Sequence, residues 1–246
     1  MVRTRLDRLL VARGLVATRS RARDLITRGK VTVDGVSVAK PGLEISEDAE
    51  VSISDGANEF VSRGAQKLEA ALAHFGYRPS GVTALDIGAS TGGFTQVLLE
   101  AGARRVYAVD VGRGQLDRSL SDDPRVISLE GTDARTLSKE QIPEPVGAIV
   151  ADVSFISLTK VLSVPLSFTV PGAWLIALIK PQFEAGREAV GKGGIVRDPA
   201  DRERAVSIVR AWLAAQAGWF VDGVVASPLL GGSGNEEFLI GARKDD

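Results

Sequence analysis

Apolar positions recur along this chain with two different rhythms. Over the first fifty residues the elements are short. R-L-D-R-L-L-V-A-R (5–13) puts Leu6, Leu9 and Leu10 on one helical face and Arg5, Arg8 and Arg13 off it, with Gly14 as a stop. A second helix is expected after Thr18 as N-cap. Its buried stripe is Ala22, Leu25 and Ile26, Arg19, Arg21, Arg23 and Arg28 lie outside, and Gly29 ends it. V-T-V-D-G-V-S-V (31–38) then alternates with period two about Asp34-Gly35, a strong hairpin signal, and short strands follow at 43–45 and 50–53.

The polar, turn-prone D-G-A-N-E marks a break, which predicts a small domain over 1–55, a linker at 56–60 and a larger domain over 61–246. R-G-A-Q-K-L-E-A-A-L-A-H-F (63–75) reads as an amphipathic helix burying Leu68, Ala71, Leu72 and Phe75, and spacing alone makes Lys67 an exposed helix lysine. From there buried strands alternate with helices. Strands are expected at 82–87, at 106–109 ending in Asp110, at 126–129 before a turn carrying Asp133, at 146–152 ending in Asp152 and at 173–180 ending in Lys180; helices at 94–99, 158–166 and 201–215. The last strands are 221–225 and 238–241. This order implies an α/β domain with a mainly parallel sheet covered on both faces. Function then gathers at the carboxyl edge, where Asp86, Asp110, Asp152 and Lys180 lie, and a final strand returning antiparallel adds Glu237.

Net charge of −1 conceals a split: residues 1–40 hold ten Arg or Lys against three acids, and residues 41–60 hold six acids and no base. A basic module for a polyanion joined to a neutral body is the reading. The absence of cysteine excludes a disulfide framework and thiolate catalysis. Without a leader or an 18-residue apolar run, the expected setting is the cytoplasm and not a membrane.

The candidate chemistry starts at A-L-D-I-G-A-S-T-G-G-F-T (84–95), a strand, a glycine-rich turn and a helix. Gly88, Gly92 and Gly93 allow close approach of backbone to a ligand, and Ser90 and Thr91 are expected to cap the helix. Asp110, 22 residues after Gly88, is placed to accept hydrogen bonds from ribose hydroxyls. Ala89 and Ser90 stand where a dinucleotide turn wants glycine, and Asp86 would repel a pyrophosphate yet suits a cationic amino-acid end. S-adenosyl-L-methionine is therefore favoured over NAD.

A sugar hydroxyl needs a base or a stabilised oxyanion. Lys67 and Lys180 held with Asp152 and Glu237 can supply both, with no metal ligand cluster in view. Base-amine methylases of similar fold carry D/N-P-P-Y/F after the fourth strand, whereas D-V-S-F (152–155) lacks both prolines. Methylation of a base amine remains the alternative. His74 reads as a surface residue and Trp174, Trp212 and Trp219 as core.

Two arginine-bearing helices and a D-G hairpin resemble the small RNA-binding domain named after ribosomal small-subunit protein four. Lys67, Asp152, Lys180 and Glu237 match in order the K-D-K-E tetrad of FtsJ-like ribose 2′-O-methyltransferases. S-R-G-A-Q-K-L, D-V-G-R-G-Q-L, A-D-V-S-F-I-S-L, K-P-Q-F-E and G-N-E-E-F resemble the TlyA family of ribosomal RNA methyltransferases, also known as haemolysin A, a label that adds a membrane-active haemolysin, beside a non-catalytic ribosome-binding factor, to RNA base N-methylation as alternatives. The resemblance implies a Rossmann-like class I methyltransferase domain with a mostly parallel seven-stranded sheet behind a small α+β RNA-binding domain. It also implies methyl transfer from S-adenosyl-L-methionine to cytidine ribose in ribosomal RNA, on 23S and in some members also 16S, within ribosomal subunits. Catalytic candidates are Lys67, Asp152, Lys180 and Glu237, the glutamate being chosen over Glu236 by G-N-x-E. Cofactor candidates are Asp86, Gly88, Ser90, Thr91, Gly92, Gly93, Phe94, Asp110 and Asp133; RNA-backbone candidates are Arg5, Arg19, Arg21, Arg23 and Lys40.

Overall fold

A computed structural model describes residues 3–16, 19–27, 29–53 and 60–245; the Thr18 cap, Arg28 and most of the expected linker lie outside them. The chain divides into two compact units, with the boundary between Arg63 and Gly64.

In the first unit β1 (Arg3–Arg5) leads into α1 (Leu6–Ala12), followed by α2 (Arg19–Thr27), β2 (Val31–Val33), β3 (Val36–Val38), β4 (Glu44–Ser46) and β5 (Val51–Ile53). The first helix starts at Leu6 and not at Arg5, because residues 3–5 pair antiparallel with β4. Asp34 and Gly35 both take positive φ (49° and 79°), which matches the strand twist and fixes the β2–β3 register at Val33↔Val36. Leu6, Leu9, Leu10, Ala22, Leu25, Ile26, Val31 and Ile45 form the core of this unit, so both helical stripes bury as their spacing requires.

The second unit opens with α3 (Gly64–Phe75), β6 (Thr83–Ile87), α4 (Gly93–Glu100), β7 (Arg105–Asp110), α5 (Arg118–Ser121) and β8 (Val126–Glu130). It continues with β9 (Val146–Ala151), α6 (Leu158–Val161), α7 (Ser163–Leu166), β10 (Thr169–Ile179), α8 (Pro181–Glu184), α9 (Pro199–Ala214), β11 (Trp219–Ala226) and β12 (Phe238–Lys244). The helix expected over 158–166 is two short ones: Pro165 has no N–H to donate to Val161, so the ladder breaks.

The sheet has seven strands in the order β11-β12-β10-β9-β6-β7-β8. β10, β9, β6, β7 and β8 run parallel, while β12 is antiparallel to both neighbours. Every residue of β6 is buried, as expected of a strand covered on both faces. α9 buries Ala205, Val209 and Leu213 and turns Ile208 outward. Trp174 and Trp219 are buried and Trp212 packs partly against the core, while His74 is exposed and edges onto Phe75. Among the described residues no helix is long and apolar enough to cross a membrane.

Candidate active site

The parallel strands end at one edge, and β12 begins there. Ile87 pairs with Ala151, Ala151 with Ala177, and Ile179 with Phe238. Asp152, Lys180 and Glu237 therefore leave the sheet at the same edge, Lys180 and Glu237 on adjacent strands.

The four residues of the expected tetrad resolve into two ion pairs. Lys67 Nζ, on α3, donates to Glu237 Oε2 at 2.5 Å, with Lys67 8% and Glu237 4% exposed. Lys180 Nζ lies 2.6 Å from Asp152 Oδ1, an ion pair outside hydrogen-bond angles, and donates to Ser154 Oγ at 2.9 Å. Lys67 is thus not the exposed lysine its helical spacing suggests. Its ammonium is turned inward by a carboxylate 170 residues away, a pairing no local pattern encodes.

Glu237 is held by its surroundings. Gly231 packs against its carboxylate so closely that a Cβ there would collide with Oε1. Asn235, buried, accepts from Val196 N (2.9 Å) and donates to Gly194 O (2.8 Å), tying the segment before β12 to the glycine-rich 186–196 loop. Glu236 is directed elsewhere, to Arg202 at 3.4 Å. Of the two adjacent acids, Glu237 is the buried one and the one that meets Lys67. Asn235 was not among the sequence candidates; its position in G-N-E-E was the available signal.

The glycine turn departs from expectation in one respect. Neither Ser90 nor Thr91 caps α4; the cap is Gly92 in the left-handed region (φ 96°), with no side-chain bond. Ser90, itself at φ 50°, gives its backbone N–H to Asp110 Oδ2 (2.8 Å), and Thr91 accepts Asp117 N–H on its carbonyl. A Cβ on Gly92 would strike Leu116 and Leu120, and one on Gly88 (φ 84°) would lie 2.5 Å from the Asp152 carbonyl oxygen. Gly88 therefore lets the ends of β6 and β9 meet. Gly93 starts α4 and Phe94 is buried in the core rather than presented at the edge.

Asp86 has no exposed surface; Oδ2 accepts from Thr95 Oγ1 at 2.7 Å and Oδ1 has no partner. Burial, joined by the nearby Asp152 and Asp110 charges, pushes its carboxyl up to about 7. Asp110 accepts Ser90 N on one oxygen and Gly112 N (2.7 Å) on the other, leaving lone pairs on both. Glu130, which sequence reasoning passed over, accepts N–H groups of Gly114, Gln115 and Leu116 and so fixes the loop after Asp110. Asp133 caps the turn at 134–136 and pairs with Arg135 at 2.6 Å. Asp86, enclosed beneath the turn, presents no surface to a ligand, so it does not meet a cationic end as its position in the sequence suggests; Asp110, with open lone pairs at the turn, fits a ribose.

Beside the Lys180 pair, Phe155 is 91% exposed with φ at 66°, a conformation unfavourable for an aromatic residue. Its ring sits 5.1 Å from that of Phe183. Glu184 accepts from Ser157 Oγ (2.6 Å) and Leu158 N (2.8 Å), so the segments that follow Asp152 and Lys180 are bound together. Burial raises the Glu184 carboxyl.

In the first unit Arg5 and Arg19 are half exposed and both pair with Asp7; Arg23 and Lys40 are exposed, and the Arg21 side chain lies outside the described residues.

This sheet order, with the glycine turn after β6, an acid ending β7 and lysine–carboxylate pairs at the same edge, defines a Rossmann-like group-transfer enzyme of the class I methyltransferase fold. The FtsJ-like methyltransferase model matches residues 60–244 and the S4 domain model residues 4–51. A Mycobacterium tuberculosis protein named 16S/23S rRNA (cytidine-2′-O)-methyltransferase TlyA is 48% identical over 98% of this chain and 90% of its own length. The 23S rRNA (cytidine-2′-O)-methyltransferase TlyA of Campylobacter jejuni is 33% identical over 93% of this chain and 95% of its own. A solved structure of a hemolysin-named protein from Streptococcus thermophilus superposes with a TM-score of 0.78 at 41% identity, covering 100% of this chain and 90% of that one. The chain belongs to the TlyA family of FtsJ-like methyltransferases, with an amino-terminal S4 domain. FtsJ-like methyltransferases use S-adenosyl-L-methionine, and its ribose fits the open lone pairs of Asp110 at the turn.

Proposed function

We propose that this protein methylates the 2′-hydroxyl of cytidine in ribosomal RNA, acting on ribosomal subunits in the cytoplasm, with Lys67, Asp152, Lys180 and Glu237 around the reacting oxygen. The observation that carries the reading is the pair of ion pairs at one sheet edge, assembled from four distant points in the chain. The names of the relatives supply the substrate class.

The bound cofactor supplies a methyl group already activated on a sulfonium. The chain has to place the hydroxyl and manage its proton. Lys180, once its ammonium has released a proton to solvent, accepts the hydroxyl's proton as the oxygen takes the methyl group, and Asp152 at 2.6 Å holds the ammonium that is formed again. Ser154 fixes the Lys180 head from a second direction. Lys67, kept as a second cation by Glu237, stabilises charge developing on oxygen in a site shielded from water. Alignment of oxygen with the methyl contributes much of the rest. Gly88, Ser90, Thr91, Gly92, Gly93, Asp110 and Asp133 surround the cofactor, while Asp86, bonded to Thr95, and Phe94 support the turn from the core.

Phe155 offers an aromatic face three residues beyond Asp152, suited to stacking an unstacked base whose ribose is being modified. Arg5, Arg19, Arg21, Arg23 and Lys40 serve as backbone contacts to RNA. Alkaline hydrolysis of modified 16S and 23S RNA tests the reading: a 2′-O-methyl removes the internal nucleophile and protects one phosphodiester. Cleavage equal to unmodified RNA with methyl incorporated would assign the activity to a base.

A further inference from the structure

Among the described residues of the amino-terminal unit, Asp7 alone is a buried charge, with 0% exposure in the first turn of α1. Arg5 donates from Nε to its Oδ1 and from Nη2 to its Oδ2, both at 3.0 Å, and Arg19 donates from Nη2 to Oδ2, also at 3.0 Å. One carboxylate thus gathers guanidiniums from the residue before α1 and the first residue of α2. These bonds hold the Asp7 carboxyl down to about 2.

Two cations share the one buried anion, and the exposed Glu44, opposite Arg5 in the β1–β4 pairing, is a second acid acting on Arg5 from the strand beside it. Both guanidiniums remain about half exposed, at 42% and 52% of their side chains, and each keeps N–H donors that Asp7 does not use. Arg5 is further restricted by Gly42, whose backbone lies so near that a Cβ there would sit 3.4 Å from Nη2. For fold stability alone, an apolar residue at position 7 would avoid the desolvation cost of a buried carboxylate. What the buried carboxylate adds is two planar forks ordered on a single anion with N–H donors left over, and donors in that arrangement suit the oxygens of a phosphodiester.

We propose that Arg5 and Arg19 form one preorganised site for a single RNA phosphate, and that Asp7 is the positioning residue that sets its geometry without touching the RNA. This rests on the reading of the unit as a ribosomal RNA binder. Preorganisation matters because ordering two long side chains only on binding would lower affinity.

The test separates positioning from charge. Asp7→Asn removes a negative charge from an RNA-binding surface, so charge counting alone predicts tighter binding; the positioning role predicts roughly five- to tenfold weaker binding. Affinity of the full chain for transcribed 16S and 23S RNA is measured across a salt series, with circular dichroism melting to verify folding. Arg5→Lys/Arg19→Lys keeps the charge and leaves Asp7 paired but loses the forks, so it is expected to weaken binding similarly even if Asp7→Asn does not fold. Arg5→Ala/Arg19→Ala should reduce the slope of log affinity against log salt by about one, as for one phosphate. The two single alanine variants should each show most of the double variant's loss. Tighter or unchanged binding by folded Asp7→Asn, or wild-type binding by the lysine pair, overturns the proposal. If the alanine variants bind as wild type, it is the reading of this unit as an RNA contact through these arginines that fails instead.

Discussion

Separating Lys67 from Glu237 should cost stability and activity by different routes, and the two can be told apart. Both side chains are almost fully buried and meet at 2.5 Å. Glu237→Ala leaves an ammonium without its counter-ion in a low-dielectric site, a loss of about 3–5 kcal/mol. For a domain of this size that corresponds to a fall in Tm of roughly 6–20 °C. Replacing both partners by apolar groups, Lys67→Met/Glu237→Leu, removes the stranded charge and should recover most of the lost stability, ending within about 1–2 kcal/mol of wild type. Methyl transfer should not recover: Glu237→Gln and the double variant should each lose about 100-fold or more in kcat. Thermal melting beside transfer of labelled methyl to ribosomal RNA reads both quantities. A Tm unchanged in Glu237→Ala would refute the buried pair, and substantial activity in the apolar double variant would refute its part in the chemistry.

Other consequences follow from the same edge. Asp86 has its folded pKa raised to about 7 from 3.8, so the native state holds the extra proton and stability falls as pH rises from about 4 to 7. Asp86→Asn should match wild type in urea unfolding near pH 4 and exceed it at pH 8 by up to about 4 kcal/mol; no pH-dependent gap would contradict the enclosed, unpartnered carboxylate. Gly88→Ala adds a Cβ 2.5 Å from the Asp152 carbonyl at a positive φ, and should lower both Tm and activity by displacing Asp152 from Lys180. Phe155→Gly should melt up to about 1 kcal/mol higher, since the left-handed strain is relieved, yet bind RNA substrate more weakly, by about 1–3 kcal/mol for a lost stacking contact. Equal kinetics in that variant would remove Phe155 from the site.

Much of this architecture could be read before any coordinates because its signals are local. The D-G turn needs two positive φ angles and has them, the alternating strands and helices dictate a parallel sheet, and strand ends reveal which charges share an edge. What could not be read depends on partners distant in sequence. Lys67 has the spacing of a surface lysine and is buried because Glu237 reaches it from β12. Ser90 and Thr91 have the chemistry of caps, but the backbone of Ser90 is engaged by Asp110, and the left-handed turn at Gly92 leaves no side chain to cap. Glu130 and Asn235 look like ordinary loop polar residues and turn out to hold the loops on either side of the site. Asp7 passed for one acid in a basic stretch, yet it gathers two of the arginines on which that stretch was judged.

The most direct measurement is mass spectrometry of nucleosides from ribosomal RNA treated with the wild-type enzyme and with Lys180→Ala. 2′-O-methylcytidine should form with the first and be absent with the second, while Lys180→Ala still binds the RNA. A base-methylated nucleoside in its place, or 2′-O-methylcytidine at wild-type rates from Lys180→Ala, would contradict the assignment of these ion pairs to a ribose hydroxyl.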